Sequence, residues 1–592
     1  MCGIVGFVDK RFALSPAMRE EVLRAMLALI EHRGRDGVGV LADGSVAIGH
    51  TRLSILDPRT AANQPFVSHS GNTVVAYNGE IYNYRQLNTE LAREYPFRTN
   101  CDTETLVNGY EKWGERILPR LRGMFAFSIL DRVRKRLVLV ADRYAIKPLY
   151  IVDTPEYFAW ASEAKAFSVL PGFQPAFNDS VLGEYLLFRQ TAGAETMWRG
   201  VKRLLPAHVL EYDIAHGTWD IRPYWTRSFE PSDNRTTIEE VGVLLEDSVR
   251  AHLLSDVPVG LQLSGGVDSS LVAVLASRIK QEQFHTFSVG LSDAAWNEFP
   301  HSRRVAEIIG SEHHELVFAE ADFCRELPHA IWHHDEPVNH PHSIPIMILS
   351  RTARSWVKVL LSGEGADELF GGYRRYLKLF SEPKLSDDAI LHLSAFTSVA
   401  QWKDMLRFDI EAPITYRRRV LETARSLDSV DRLLVLDQAT YLQSMLLRQD
   451  KMGMEGNIEN RVPYLDTPLA DASFVLSPDQ KVTKDETKRA LKTVARAYLP
   501  SELVERVKCG FGLPIREWFR NPHGLGAYLP MLTSSQAWTR PFTDPDGLRS
   551  VIAAHKGGRL DAAEPLWILL NLELWGQIFM NGVGPDALRP ES

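Results

Sequence analysis

Cysteine is scarce in this chain. Four occur in 592 residues, Cys2, Cys101, Cys324 and Cys509, and none belongs to a CxxC pair, which argues against a disulfide framework or a structural zinc site. No stretch approaches the ~18 consecutive apolar residues of a membrane helix. The opening residues MCGIVGFVDKRF lack a basic segment followed by a long apolar core. The expected compartment is therefore the cytoplasm, with no membrane partner. A basic excess is missing too: at a net charge of −8 the chain lacks the cationic face that nucleic acid requires. What remains is an ordinary globular composition, 45% hydrophobic and 24% charged. The chain is too long for one core, and at ~150 residues per domain it predicts several units or two large ones.

The most informative stretch is residues 260–270, GLQLSGGVDSS. The apolar run over 257–263 predicts a strand, Ser264, Gly265 and Gly266 a turn, and residues 271–280 a helix. Glycines let backbone N–H groups approach an anion, the serine hydroxyls add donors, and the helix N-terminus supplies the positive end of its dipole. The spacing is neither GxxxxGK(S/T) nor GxGxxG. Asp268 beside a phosphate requires a divalent cation between the two, so magnesium is expected. Glycine and serine also dominate plain turns. The stretch resembles the SGGxDS signature of the PP-loop ATP pyrophosphatases, which implies cleavage of ATP to AMP and pyrophosphate while a substrate is adenylated.

At the other end of the chain stands Cys2. If Met1 is removed, Cys2 carries both a thiol and a free α-amine, and an amine with a pKa near ~8 can act as base for the thiol beside it. A small buried cysteine is the plain alternative. Arg52, within GHTRLSI at 49–55, has the fork that grips a carboxylate bidentately. The β-like run 74–77 ends in Asn78-Gly79-Glu80, where a side-chain amide and a glycine N–H are suited to stabilising an oxyanion; NG is equally a hairpin signal. Asp102 follows in TNCDTE as a partner for an α-ammonium.

Together these segments resemble the class II glutamine amidotransferase domain, an N-terminal nucleophile hydrolase. Residues 32–37 (HRGRDG), 121–127 (LRGMFAF), 142–150 (DRYAIKPLY) and 161–166 (ASEAKA) extend the likeness across the half. The resemblance implies an α+β sandwich of αββα layers over residues 2–228. Within it Cys2 attacks the glutamine amide, Asn78 and Gly79 stabilise the oxyanion, and Arg52, Glu80 and Asp102 bind glutamine. Arg35, Cys101 and Ala145 stand where Pro, Ser and Gly are usual, which bears on loop shape.

The polar stretch 228–235 marks the boundary, and a second domain is expected over 236–582. Thr237 and Glu240 have capping-box spacing, followed by Ile238, Val241, Leu244, Leu245 and Val249 at helical spacing. Strand-like runs at 284–289, 314–318 and 357–361 alternate with a helical segment at 303–309, which predicts a parallel sheet with ligands outside its C-terminal ends. The last run leads into SGEGADELFGGY at 362–373, a second glycine loop. Asp268 and Asp367 are expected to share a metal. Glu364 is a candidate general base, or else a structural carboxylate.

Residues 335–337 (DEP), 343–345 (SIP), 450–454 (DKMGM), 459–466 (ENRVPYLD) and 506–511 (RVKCGF) resemble, in order, segments of the asparagine synthetase family. The resemblance implies an α/β PP-loop ATP pyrophosphatase domain with extra C-terminal helices. It implies ATP contacts from Leu263, Ser264, Gly265, Gly266, Asp268, Ser269, Ser270, Val289, Ser362 and Gly363, and makes Lys508 the cation for pyrophosphate and the acyl-adenylate. The implied reaction is glutamine-dependent, ATP-consuming amidation of a carboxylate, with aspartate the favoured acceptor and glutamate, AMP and pyrophosphate as co-products. Glu455 and Asn457 depart from the family pattern near the expected acceptor pocket, where a carboxylate would repel aspartate, and NHPH at 339–342 is expected to reshape it. An amidotransferase acting on a peptide or secondary metabolite is the alternative, and a degenerate regulatory scaffold a second. His333, His334, His340 and His342 follow no zinc spacing and are expected to line a pocket or face water. The tail after Gly582 is expected to fray. A homodimer is compatible with the sequence.

Overall fold

The protein is described by a computed structural model over residues 2–229, 236–293, 296–380, 382, 384–410, 414–506 and 512–590. The strand Gly3–Asp9 is buried at every position. Its side chains alternate between faces, and the two apolar sets enter different cores. Ile4 and Val8 pack with Ile48, Val74, Ala76, Leu130 and Leu139, whereas Val5 and Phe7 pack with Leu23, Met26 and Leu27 of the helix Pro16–Leu29. The strand belongs to a six-stranded antiparallel sheet, between Tyr157–Ala161 and Val46–Arg52. A second six-stranded antiparallel sheet carries Arg136–Ala141, Gly123–Asp131 and Thr73–Ile81 side by side. Its outer face, with Val75, Tyr77, Phe125 and Phe127, is covered by Leu87 and Leu106 of the helices Tyr84–Leu91 and Asp102–Trp113. The layers are therefore αββα, the N-terminal nucleophile hydrolase sandwich. Asn78 and Gly79 do not form a hairpin; they lie within Thr73–Ile81, paired with Ala126 and Phe125. A Cβ on Gly79 would sit 2.1 Å from the Met124 carbonyl oxygen, so the close approach of the two strands requires glycine there.

The second half opens with the helix Ile238–His252, capped reciprocally by Thr237 and Glu240 as their spacing predicts. A five-stranded parallel sheet follows, in the order Glu312–Phe318, His285–Leu291, Val259–Gln262, Val359–Leu361 and Glu459–Arg461. Strand order reverses between Val259–Gln262 and Val359–Leu361, and the crevice beyond such a switch point is where ligands bind in this architecture. The two glycine loops leave from those two strands. The first helix starts at Val267, earlier than the apolar spacing suggests, so Asp268 sits in its first turn, where the dipole favours a carboxylate.

Helices make up most of the remainder and end with Ala563–Phe579, which is almost wholly buried. The following tail does not fray as composition suggests. Pro585–Leu588 forms a short 3₁₀ turn, Leu588 is buried, and Arg589 pairs with Asp586 at 2.8 Å. The two halves share a core in which Leu53, Ile55, Tyr82 and Met124 cluster with Leu261, Leu263 and Val462. No described helix is long and apolar enough to cross a membrane.

His50, His252 and His334 are buried at the sandwich, the seam and the second half, and burial pushes each down to about 3. An unfolded histidine titrates near ~6.5. Between those values the unfolded chain binds protons that the folded chain refuses, so stability falls as pH falls, by about 2 kcal/mol per ring at pH 5. The urea midpoint is expected to drop between pH 7.5 and pH 5, and to drop less in His252→Asn. An equal drop in both proteins would contradict the neutral burial of this ring.

Candidate active site

Cys2 immediately precedes the strand Gly3–Asp9 and is held from both sides. Its backbone nitrogen donates to Asn78 Oδ1 at 2.9 Å, and its carbonyl accepts from Arg33 Nε at 3.2 Å. Burial pushes the thiol pKa up, so the sulfur needs a base to become a thiolate. Asn78 is fully buried, and its Nδ2 has no hydrogen-bond partner among the described residues. An unmade buried donor costs about 1–3 kcal/mol. It is also the group that an oxyanion developing beside Cys2 would engage.

The three residues expected to bind glutamine lie on or against the strands beside this centre, Arg52 ending the strand paired with Gly3–Asp9 and Glu80 following Gly79, with Asp102 bonded to the same strand as Glu80, but their polar groups are engaged within the protein. Arg52 Nη1 donates to Arg59 O and Asn63 Oδ1, and Nη2 to Leu56 O and Asp57 O, at 2.6 to 3.2 Å. Asp102 Oδ2 accepts from the Tyr77 hydroxyl at 2.7 Å and from the Ile81 N–H at 2.9 Å. Glu80 faces the second half, with Arg461 Nη2 at 3.2 Å. Burial raises the Glu80 pKa, and the Arg461 charge offsets this only in part.

Arg33 extends the support of Cys2 across the seam. It is fully buried, with Nη1 on Glu163 at 2.9 Å and Nη2 on Asp450 at 2.7 Å. Glu163 also pairs with Lys165, which reaches Asp335 at 2.9 Å, and Asp335 in turn receives Lys451 at 3.1 Å. Charges removed from water persist only when paired and hydrogen-bonded, and here the pairs cross between the halves.

In the second half the two glycine loops meet. A Cβ on Gly363 would lie 2.8 Å from Ser269 N and 3.0 Å from Asp268 Cβ, so the loops touch through backbone. Ser264, Gly266, Asp268, Ser269, Ser362, Gly363, Glu364 and Asp367 line one cavity. Leu263 and Val289 line an adjoining cavity that shares Ser264, Glu364 and Asp367 with the first. Gly265 makes the turn at φ +72° and Ser270 is buried beneath it; neither lines these cavities. The ammonium of Lys488 lies between the two aspartates, paired with Asp268 and 2.7 Å from Asp367. Two converging carboxylates are the oxygen donors a hard divalent cation takes, so the pair fits magnesium as well as the lysine. Lys508 lies outside the described residues.

Glu364 accepts from Arg448 at 2.6 Å and from Gln449 at 3.0 Å, both on Oε1. It is thus paired by side chains rather than by backbone N–H groups. His340 and His342 line the cavity beside it, as does Tyr441, whose hydroxyl lies 2.8 Å from His340 Nε2. Burial holds both rings well below the usual histidine range. Glu455 is itself paired: its carboxylate accepts from Arg351 Nε at 2.7 Å, and neither residue lines either cavity. Asn457 Oδ1 accepts from Arg35 N at 3.3 Å, across the seam.

Lys488 and Arg448 belong to none of the motif segments, and Arg461 lies within ENRVPYLD with no role implied for it. Lys488 lies in the charged run KDETKR, indistinguishable by composition from a solvated helix end. Arg448 stands two positions before the DKMGM segment, and that proximity is the one sequence signal that points to it.

Comparison with known proteins agrees with this geometry. Residues 1–225 match the glutamine amidotransferase domain family, and residues 240–577 match the asparagine synthase family. A Mycobacterium tuberculosis protein assigned by name to the glutamine-hydrolyzing asparagine synthetases is 32% identical over 100% of this chain and 99% of its own length. Asparagine synthetase 1 of Bacillus subtilis is 30% identical over 98% and 97%. Asparagine synthetase B of Escherichia coli is 28% identical over 86% and 81%.

Removing Asp450 would leave Arg33 and Lys147 buried without their shared carboxylate. Asp450→Ala is expected to destabilise the fold by about 3–5 kcal/mol, read as a lower urea midpoint. An unchanged midpoint would contradict the seam network.

Proposed function

Because the chain belongs to the asparagine synthase family, we propose that this carbon–nitrogen ligase amidates L-aspartate to L-asparagine in the cytoplasm. Nitrogen comes from glutamine, and ATP is cleaved to AMP and pyrophosphate. The observation that carries the nitrogen-donor half is the unengaged, buried Asn78 Nδ2 beside Cys2.

With Met1 removed, the Cys2 amine takes the thiol proton, and the thiolate attacks the glutamine amide carbon. Asn78 Nδ2 and the Gly79 N–H receive the oxyanion. Collapse expels ammonia and leaves a γ-glutamyl thioester, which water cleaves to glutamate. Arg52 and Asp102 bind the amino-acid end of glutamine; Arg52 does so by exchanging some of its present carbonyl partners for the carboxylate. Glu80, paired with Arg461, sets the wall facing the second half.

The acceptor carboxylate attacks the α-phosphorus of ATP and displaces pyrophosphate, giving an acyl-adenylate. The glycine-loop N–H groups, with Lys488 and Lys508, hold the phosphates. Magnesium, held by Asp268 and Asp367, would neutralise phosphate charge when bound with ATP. Ammonia, delivered through the protein interior as the family resemblance implies, attacks the activated carbonyl, and Glu364 takes a proton as AMP leaves. Neutralisation of Glu455 by Arg351 removes the repulsion that counted against aspartate. A second reading, in which another carboxylate is amidated, is favoured by His340 and His342 beside the acceptor side of the cavity.

Cys2→Ala is expected to abolish glutamine-dependent synthesis while leaving synthesis from added ammonium salt within about twofold of the parent. Glutamine-dependent product formed at the parent rate would remove Cys2 from the reaction.

A further inference from the structure

A cluster at the opposite end of the parallel sheet plays no part in the proposed reaction. His285 opens the strand His285–Leu291, and its cross-strand partner is Glu312, the first residue of the edge strand Glu312–Phe318. Side chains two apart on a strand share a face, so His314 stands beside both. His285 Nδ1 lies 3.0 Å from His314 Nε2, and the Glu312 carboxylate is 3.7 Å from each ring nitrogen.

We propose that His285, Glu312 and His314 bind a divalent transition-metal ion of the zinc class. Zinc–nitrogen and zinc–oxygen bonds of about 2.0–2.2 Å in a tetrahedron place ligand atoms roughly 3.3 Å apart. The ring nitrogens, 3.0 Å apart, and the Glu312 oxygens, Oε2 at 3.7 Å from His285 Nδ1 and Oε1 at 3.7 Å from His314 Nε2, lie either side of that spacing, so the carboxylate can offer an oxygen to an ion held by both rings. Three protein ligands also leave a fourth position for water. Two imidazoles and one carboxylate suit zinc, copper or nickel better than magnesium or calcium, which take oxygen.

Two further features fix the cluster. The His314 ring packs against Phe287, stacked at 4.9 Å and 17°, and on an adjoining side against Trp356 at 4.3 Å, the two neighbours themselves 6.0 Å apart, so its ring is packed in place before any ion arrives. Among the described residues, no lysine or arginine pairs with Glu312; its ion-pair partners are the two histidines. The neighbouring charged groups are engaged elsewhere, Glu315 with Arg303 at 2.6 Å and His313 with the Thr286 hydroxyl at 2.8 Å.

The three residues lie where the strands begin, whereas the glycine loops lie where they end; none of the three lines the cavities at the loops, although Phe287, which stacks on His314, lines the adjoining one. A bound ion would tie the edge strand to its neighbour, the strand whose Ser288 and Val289 line the adjoining cavity. Its role is that of a structural clip.

The test uses the untagged full-length protein, stripped with chelator and dialysed against micromolar zinc at pH 7.5, with metal measured by mass spectrometry. Wild type is expected to retain one equivalent more than His285→Ala or His314→Ala. Glu312→Gln, a change at an exposed position that leaves the rings and their packing in place, is expected to weaken zinc binding about tenfold. Cobalt(II) should give the visible absorption of a four-coordinate ion in wild type and not in the histidine variants. Equal zinc retention in wild type and all three variants, or a cobalt spectrum that the substitutions leave unchanged, would overturn the proposal and leave a hydrogen-bonded histidine pair.

Discussion

The guanidinium of Arg33 is the interaction on which the rest of the molecule depends. One side chain, wholly out of water, holds the carbonyl of Cys2, a carboxylate of its own half and a carboxylate of the other half. Burying such a group is unfavourable unless every partner is in place. The position of Cys2, the proposed nucleophile, is therefore conditional on the two halves being docked. Arg461 repeats the logic nearby. Its carbonyl accepts from Ser362 N at 2.9 Å, at the root of the second glycine loop, while its guanidinium faces Glu80, next to Gly79 in sequence. The seam is a charged framework around shared apolar residues, and it ties the geometry of each site to that of the other.

The sequence carried the architecture well because the architecture rests on local rules. Alternation in Gly3–Asp9, the Thr237 and Glu240 cap and the strand-then-glycine-loop pattern around Ser264 and Ser362 are set by neighbours along the chain. Pairings across long separations were not legible. Arg33 and Asp450 are far apart in sequence, and nothing in HRGRDG or DKMGM says that one buries its charge against the other. Lys488 was hidden for the same reason, because its role appears only once two aspartates from separate loops converge on it. The pairing of Glu455 with Arg351 is of the same kind, since its partner lies on a different helix.

The same physics separates what is preset from what must change. Asn78 Nδ2 waits unpaired, and preorganised donors of this kind stabilise developing charge without reorganising. Arg52 and Asp102, by contrast, are already bonded within the protein, so their proposed recognition of the amino-acid end of glutamine would compete with internal contacts. On the synthetase side the aspartates are neutralised by a lysine before any phosphate arrives. The cavity beside Glu364 is neutral and aromatic toward His340 and Tyr441 and cationic toward Arg448, so in the proposed reaction it can take a carboxylate once Glu364 shares its partner.

The central claim is that this chain couples glutamine hydrolysis to amidation of aspartate through adenylation. The most direct measurement incubates the protein with ATP, magnesium, glutamine and aspartate and follows asparagine and AMP by mass spectrometry, with a control lacking aspartate. The account predicts asparagine and AMP in equal amounts, both absent from the control. Glutamate released with no asparagine and no aspartate-dependent AMP would contradict it and assign the adenylation site to a different carboxylate.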